Sequence, residues 1–71
     1  MYINKGQTGE NVRTIQSILT FLSFDIGTVD GIFGVKTEKA VKDIQTKLGL
    51  KADGIVGSWL FNYLIKQKPK A

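Results

Sequence analysis

From Thr8 to Leu22 the apolar residues Val12, Ile15, Leu19 and Leu22 recur at three- and four-residue spacing, which places them on one face of a helix. Thr8 stands where an N-terminal cap belongs, and Glu10 puts a carboxylate in the first turn, where the helix dipole favours it. Between Ser23 and Gly34 the pattern breaks: Gly27, Gly31, Gly34, Asp25 and Asp30 are turn chemistry. The period returns over about Val35 to Leu48, where Thr37, Ala40, Val41, Ile44 and Leu48 share a stripe and Lys36, Lys39, Lys42 and Lys47 lie mostly off it. Gly49 supplies a C-terminal stop. A third, shorter helix is predicted from about Ser58 to Lys66, with Leu60, Phe61, Leu64 and Ile65 as its apolar residues, and Pro69 prevents its extension.

One pattern occurs twice. Asp30-Gly31-Ile32-Phe33-Gly34 and Asp53-Gly54-Ile55-Val56-Gly57 agree at four of five positions, and each directly precedes a predicted helix. In such a turn the Asp carboxylate accepts backbone N–H bonds, the first Gly takes a positive φ, the apolar pair plugs into the core and the last Gly occupies the N-cap position. The expected fold is all-α: a three-helix bundle over residues 1–66 with two similar Asp-Gly turns as connectors, followed by a basic tail over residues 67–71.

Composition narrows the class. Seventy-one residues allow one compact domain, and 42% hydrophobic with 23% charged residues is globular rather than disordered. With no Cys, neither disulfides nor thiolate-bound zinc stabilise so small a core, which must rest on side-chain packing. The apolar runs are too short to span a bilayer, and no basic flank followed by an apolar run lies near Met1, so neither a membrane helix nor a secretory signal is expected in this stretch. The formal charge of +4 favours anionic polymers without selecting one, and Lys66, Lys68 and Lys70 concentrate it at one end.

The two turns, taken with the helix residues between them, resemble the three-helix peptidoglycan-binding domain family of wall hydrolases, spore cortex enzymes and phage endolysins. The residues that carry the resemblance are Gly6, Gly9, Val12, Gln16 and Leu19, the first turn with Thr37, Ala40, Val41 and Gln45, and then Gly49, Leu50, the second turn and Leu64. The chain departs from the family pattern at Ile15 and Ile44, where Leu and Phe are usual, at Val35, where Pro is, and at Leu60, where Thr is. The resemblance implies a fold that binds cell-wall peptidoglycan without cleaving it, outside the cell at the wall, as a monomer joined to a catalytic domain on the same polypeptide. A related fold serves as the pro-region of matrix metalloproteases, where inhibition uses a cysteine that this chain lacks.

The chemistry present agrees with a binder. Without His or Cys the usual neutral-pH base, the thiol nucleophile and the common transition-metal ligands are missing, so no enzyme, cofactor or metal site is expected. Asp30 and Asp53 are the tempting carboxylate pair for glycoside hydrolysis, but turn capping is their ordinary work. Gln16 and Gln45, at the margins of their stripes, are expected to satisfy loop backbone, and Thr37 to serve the turn before it. Trp59, beside the second turn, reads equally as packing or as a flat face for a sugar, with Tyr63 or Phe61 nearby. The candidate contact residues are Asp30, Gly31, Thr37 and Trp59, on the premise that Gly-rich turns leave backbone groups open to a ligand. Two rivals remain at this point: a protein-interaction or pro-region module packed on its own catalytic domain, and a basic three-helix nucleic-acid binder. The second lacks Arg or Asn on its would-be recognition helix, so neither nucleic acid nor membrane is an expected partner.

Overall fold

The computed structural model describes residues 1–67, so the expected basic tail lies outside the described residues from position 68 on. The element order is β1 (Tyr2–Ile3), α1 (Glu10–Phe21), α2 (Val35–Lys47), β2 (Val56–Gly57) and α3 (Ser58–Gln67). Helix α3 thus includes Gln67, which the sequence had assigned to the tail.

The three helices close on one core. Val12, Ile15, Ile18 and Leu19 of α1 meet Ala40, Val41 and Ile44 of α2 and Leu60 and Leu64 of α3, with Ile26 and Phe33 filling in from the α1–α2 connector. Helix α1 packs on both others, more extensively on α3. In α3 the buried stripe narrows to Leu60 and Leu64. Phe61 is half-buried and Ile65 is exposed, although both belong to the apolar set of the sequence.

Both longer helices end in the same way. At α1 the Ser23 N–H donates to the Thr20 carbonyl and the Phe24 N–H to Leu19; at α2 the Gly49 N–H donates to Thr46 and the Leu50 N–H to Gln45. This paired bonding turns the chain through a left-handed residue. Gly49 occupies that position with φ 75° and Ser23 with φ 72°, the one positive φ at a non-glycine among the described residues.

The N-terminal segment laces the two turns together. Tyr2 and Ile3 pair antiparallel with Gly57 and Val56. Further along, the Phe33 N–H donates to Gln7, the Gly6 N–H to Phe33 and the Gly9 N–H to Gly31, with a bridge between Thr8 and Ile32. These extended residues are too few for hydrophobic alternation to show. They also displace the expected cap: Thr8 is committed to the bridge, and Gly9 is the N-cap of α1 without a side-chain bond.

Candidate ligand-binding groove

Each turn is locked by a glutamine from the helix before it. The Gly31 N–H donates to Gln16 Oε1 at 2.8 Å, which fixes the orientation of that amide. Gln16 Nε2 shares its hydrogens among the Ile32 carbonyl at 2.9 Å, Thr37 Oγ1 at 3.1 Å and Asp30 Oδ1 at 3.2 Å. In the second copy the Gly54 N–H donates to Gln45 Oε1 at 3.0 Å, while Gln45 Nε2 donates to Asp53 Oδ1 at 2.9 Å and the Ile55 carbonyl at 3.0 Å. Both glutamines are buried, as is the backbone of Gly31 and Gly54. In each copy the buried amide thus pairs the glycine N–H and the carbonyl of the residue after it.

The carboxylates complete the lock. Asp30 Oδ1 accepts the Ile32 N–H at 2.9 Å, and Asp53 Oδ1 accepts the Ile55 N–H at 2.9 Å. Those backbone donors, followed by the glutamine amides, hold each carboxyl below its ordinary value of 3.8; Arg13 adds to the effect at Asp30 and Lys51 at Asp53, against some desolvation. Gly31 and Gly54 have φ of 77° and 74°, as their place after Asp requires. Of each central apolar pair only the second residue plugs the core. Phe33 and Val56 are buried, whereas Ile32 is 54% exposed and Ile55 half-buried.

Around the first lock lies an open groove of about 370 Å³. Gln16, Asp30 and Thr37 form its polar floor and side, Ile26, Ile32 and Val35 its apolar walls, and Lys36 reaches across its rim beside Gly27. Gly34 caps α2 here without a side-chain bond, so the first N–H groups of that helix, at Val35, Lys36 and Thr37, face no capping side chain.

Of the four candidate contact residues, Asp30 and Thr37 line this groove together. Gly31 sits behind it: its N–H is taken by Gln16 and its Cα faces Arg13 and the Gly9 carbonyl, so the open backbone expected of these turns is closed. Trp59 lies elsewhere. It is 61% exposed and stacks on Tyr63, ring centroids 5.6 Å apart and planes 12° from parallel, lining a separate groove of about 240 Å³ with Asn62 and Lys66. Sequence reasoning missed Gln16 as a groove residue. The signal was its place at the margin of the apolar stripe of α1, which the sequence assigned to satisfying loop backbone.

Comparison with known proteins agrees with this architecture. A family model described as "Putative peptidoglycan binding domain" matches residues 8–64. A spore cortex-lytic enzyme of Bacillus cereus is 41% identical over 64 residues, covering 90% of this chain and 25% of that protein. Among solved structures, the SleB N-terminal domain superposes with a TM-score of 0.88 at 39% identity, covering 96% of this chain and 94% of that one. A fused Zn-dependent amidase/peptidase/peptidoglycan-binding protein of Clostridium acetobutylicum gives a TM-score of 0.87 at 36% identity, covering 99% of this chain and 31% of that one. This chain therefore spans about a quarter of the length of that spore cortex-lytic enzyme.

Proposed function

The chain belongs to the peptidoglycan-binding domain family, and on that premise we propose that it is a non-catalytic anchor, holding an attached wall-degrading enzyme against bacterial peptidoglycan. The observation that carries this reading is the groove over the first lock, where buried Thr37, held by Gln16, and the exposed carboxylate of Asp30 offer fixed hydrogen-bonding groups between apolar walls. Rigid polar groups in a concave, partly apolar setting suit equilibrium binding of a polar polymer. The exposed lysines of α2 add a diffuse attraction to stem-peptide carboxylates or wall polyanions, which salt weakens. The setting is extracellular, at the wall, with the module acting as a monomer.

Sedimentation with insoluble peptidoglycan tests this reading. The parent chain is expected in the pellet, Asp30→Ala and Thr37→Val largely in the supernatant with unchanged helical circular dichroism, and no variant is expected to clear a wall suspension. Clearing by the pure parent chain would overturn the non-catalytic assignment, and a parent chain that stays in the supernatant would overturn the wall-binding one.

A second reading has one observation of its own. The exposed Trp59 stacked on Tyr63 puts an aromatic patch on α3 beside Asn62 and Lys66, suited to packing against a catalytic domain of the same polypeptide. Trp59→Ala separates the two: lost sedimentation makes Trp59 a wall contact, and unchanged sedimentation leaves that face to a protein partner.

A further inference from the structure

Thr37 differs from Thr20 and Thr46 in what its hydroxyl does. Thr20 donates to the Gln16 carbonyl at 2.9 Å and Thr46 to the Lys42 carbonyl at 3.0 Å, the usual bond back along a helix. For Thr37 the corresponding carbonyl is that of Phe33, which already accepts the Gly6 N–H at 2.9 Å. Its oxygen receives the Gln16 N–H, and among the described residues its own O–H meets no acceptor. The side chain is only 2% exposed, yet it lines the groove. A buried donor aimed at a cavity calls for an acceptor inside it.

The opposite requirement stands beside it. Both hydrogen bonds to the Asp30 carboxylate go to Oδ1, so among the described residues Oδ2 is an open acceptor, and Asp30 lines the same groove. Thr37 Oγ1 and Asp30 Oδ1 lie within 3.2 Å of one amide nitrogen, so the two groups address one small volume. Charge narrows the occupant. An anion there would face the ionised Asp30, and a cation would face the uncapped N-terminus of α2 and Lys36. A neutral group with one donor and one acceptor avoids both penalties, and Ile26, Ile32 and Val35 supply a surface for a methyl beside it.

We propose that the groove over the first turn is a seat for a neutral amide with an adjoining methyl, its carbonyl accepting from the Thr37 hydroxyl and its N–H donating to Asp30. This rests on the reading of the groove as the wall-binding surface. Two parts of the wall polymer carry that chemistry: the acetamido groups of its amino sugars and the alanyl amides of its stem peptides.

The test follows backbone amide shifts of the ¹⁵N-labelled chain during titration with three probes: triacetylchitotriose, its fully deacetylated counterpart, and L-alanyl-D-isoglutamine. Shifts at Ile32, Lys36 and Thr37 are expected from the acetylated trimer or the dipeptide, whichever source supplies the amide, and not from the deacetylated trimer. Thr37→Val keeps the shape of the side chain and leaves Gln16 its other two acceptors. It should fold as the parent does and weaken binding about tenfold, the loss of one hydrogen bond to a partner left unpaired. Thr37→Ser, which retains the hydroxyl, should restore most of it. Equal shifts with the deacetylated trimer, no shift with either amide probe, or parental affinity in Thr37→Val would each overturn the proposal. If the probes fail while intact peptidoglycan still pellets the chain, the amide seat falls and wall binding stands; if sedimentation fails as well, both fall.

Discussion

Gln16 and Gln45 make the same bonds to the turn that follows their own helix, but the surroundings of the two locks differ. Thr37 lies against the first, over an open groove; the position that matches it after the second turn is Leu60, only 4% exposed and part of the core. The first turn is reached by a long connector carrying Ile26, and the second follows Gly49 within a few residues. Gly31 backs onto Arg13, whereas Gly54 backs onto Glu38 and Lys42. The lock itself is therefore structural, since it persists where no hydroxyl accompanies it. What makes the first copy a candidate site is the one substitution that keeps a free hydroxyl in place of an apolar plug.

Removing the glutamines should break the comparison most severely. Gln16→Leu and Gln45→Leu each leave a buried glycine N–H and the facing carbonyl unpaired, at a cost of about 2–3 kcal/mol by urea denaturation. Gln16→Leu should cost more, because Thr37 also loses its partner. A change within the range of an ordinary surface substitution at either site would mean that the lock contributes nothing. Next come the glycines. A Cβ at Gly54 would lie 2.9 Å from Glu38 Cγ and 3.2 Å from Lys42 Cε, whereas at Gly31 its nearest neighbour is the end of the Arg13 side chain at 3.3 Å. Gly31→Ala should cost about 1 kcal/mol for its backbone alone and Gly54→Ala about 2 kcal/mol, and the reverse order in thermal midpoints would contradict the packing described for the second turn.

Acid probes both turns at once. Asp30 and Asp53 have folded values depressed below 3.8, so the unfolded chain binds their protons first as the pH falls. The stability they contribute is complete above about pH 4 and declines as the pH falls through the lower folded values. Denaturant midpoints should fall across that range in the parent and less steeply in Asp30→Asn and Asp53→Asn; parallel acid slopes in all three would show that these carboxylates are not stabilised by folding. The smallest expected effect concerns the helix ends. Ser23→Gly gives the first copy the left-handed residue that Gly49 provides in the second, and should stabilise by about 0.5 kcal/mol. Destabilisation would show that the Ser23 side chain contributes something that the backbone comparison omits.

Much of this was legible in the sequence because it depends on short-range rules. The spacing of Val12, Ile15 and Leu19, the stop at Gly49 and the positive φ after Asp30 and Asp53 are local matters, and the structure has them where the chain implied. The two bonding glutamines were visible as residues that would satisfy loop backbone, but not which loop, since Gln16 meets a turn that begins fourteen positions later. The N-terminal strands stayed hidden because two residues hold no period, and the Thr8 cap failed because pairing with Ile32 competed for the same segment. The candidate site was partly legible: Asp30 and Thr37 converge on one groove, while Trp59, adjacent to the second turn in sequence, stands on another.

The N-terminal segment has a further consequence for how the domain comes into being. Ile3 leaves the ribosome before either longer helix, and its partner Val56 emerges only after α1 and α2 are complete. Those helices can form from neighbouring residues, but the antiparallel pair must wait for a contact that is distant along the chain, and such contacts set the pace of folding. Until then Ile3 has no partner and its apolar side chain faces solvent. Closure of that pair marks completion of the domain, so a nascent chain stalled before Val56 would expose the apolar faces of two helices to chaperones and proteases.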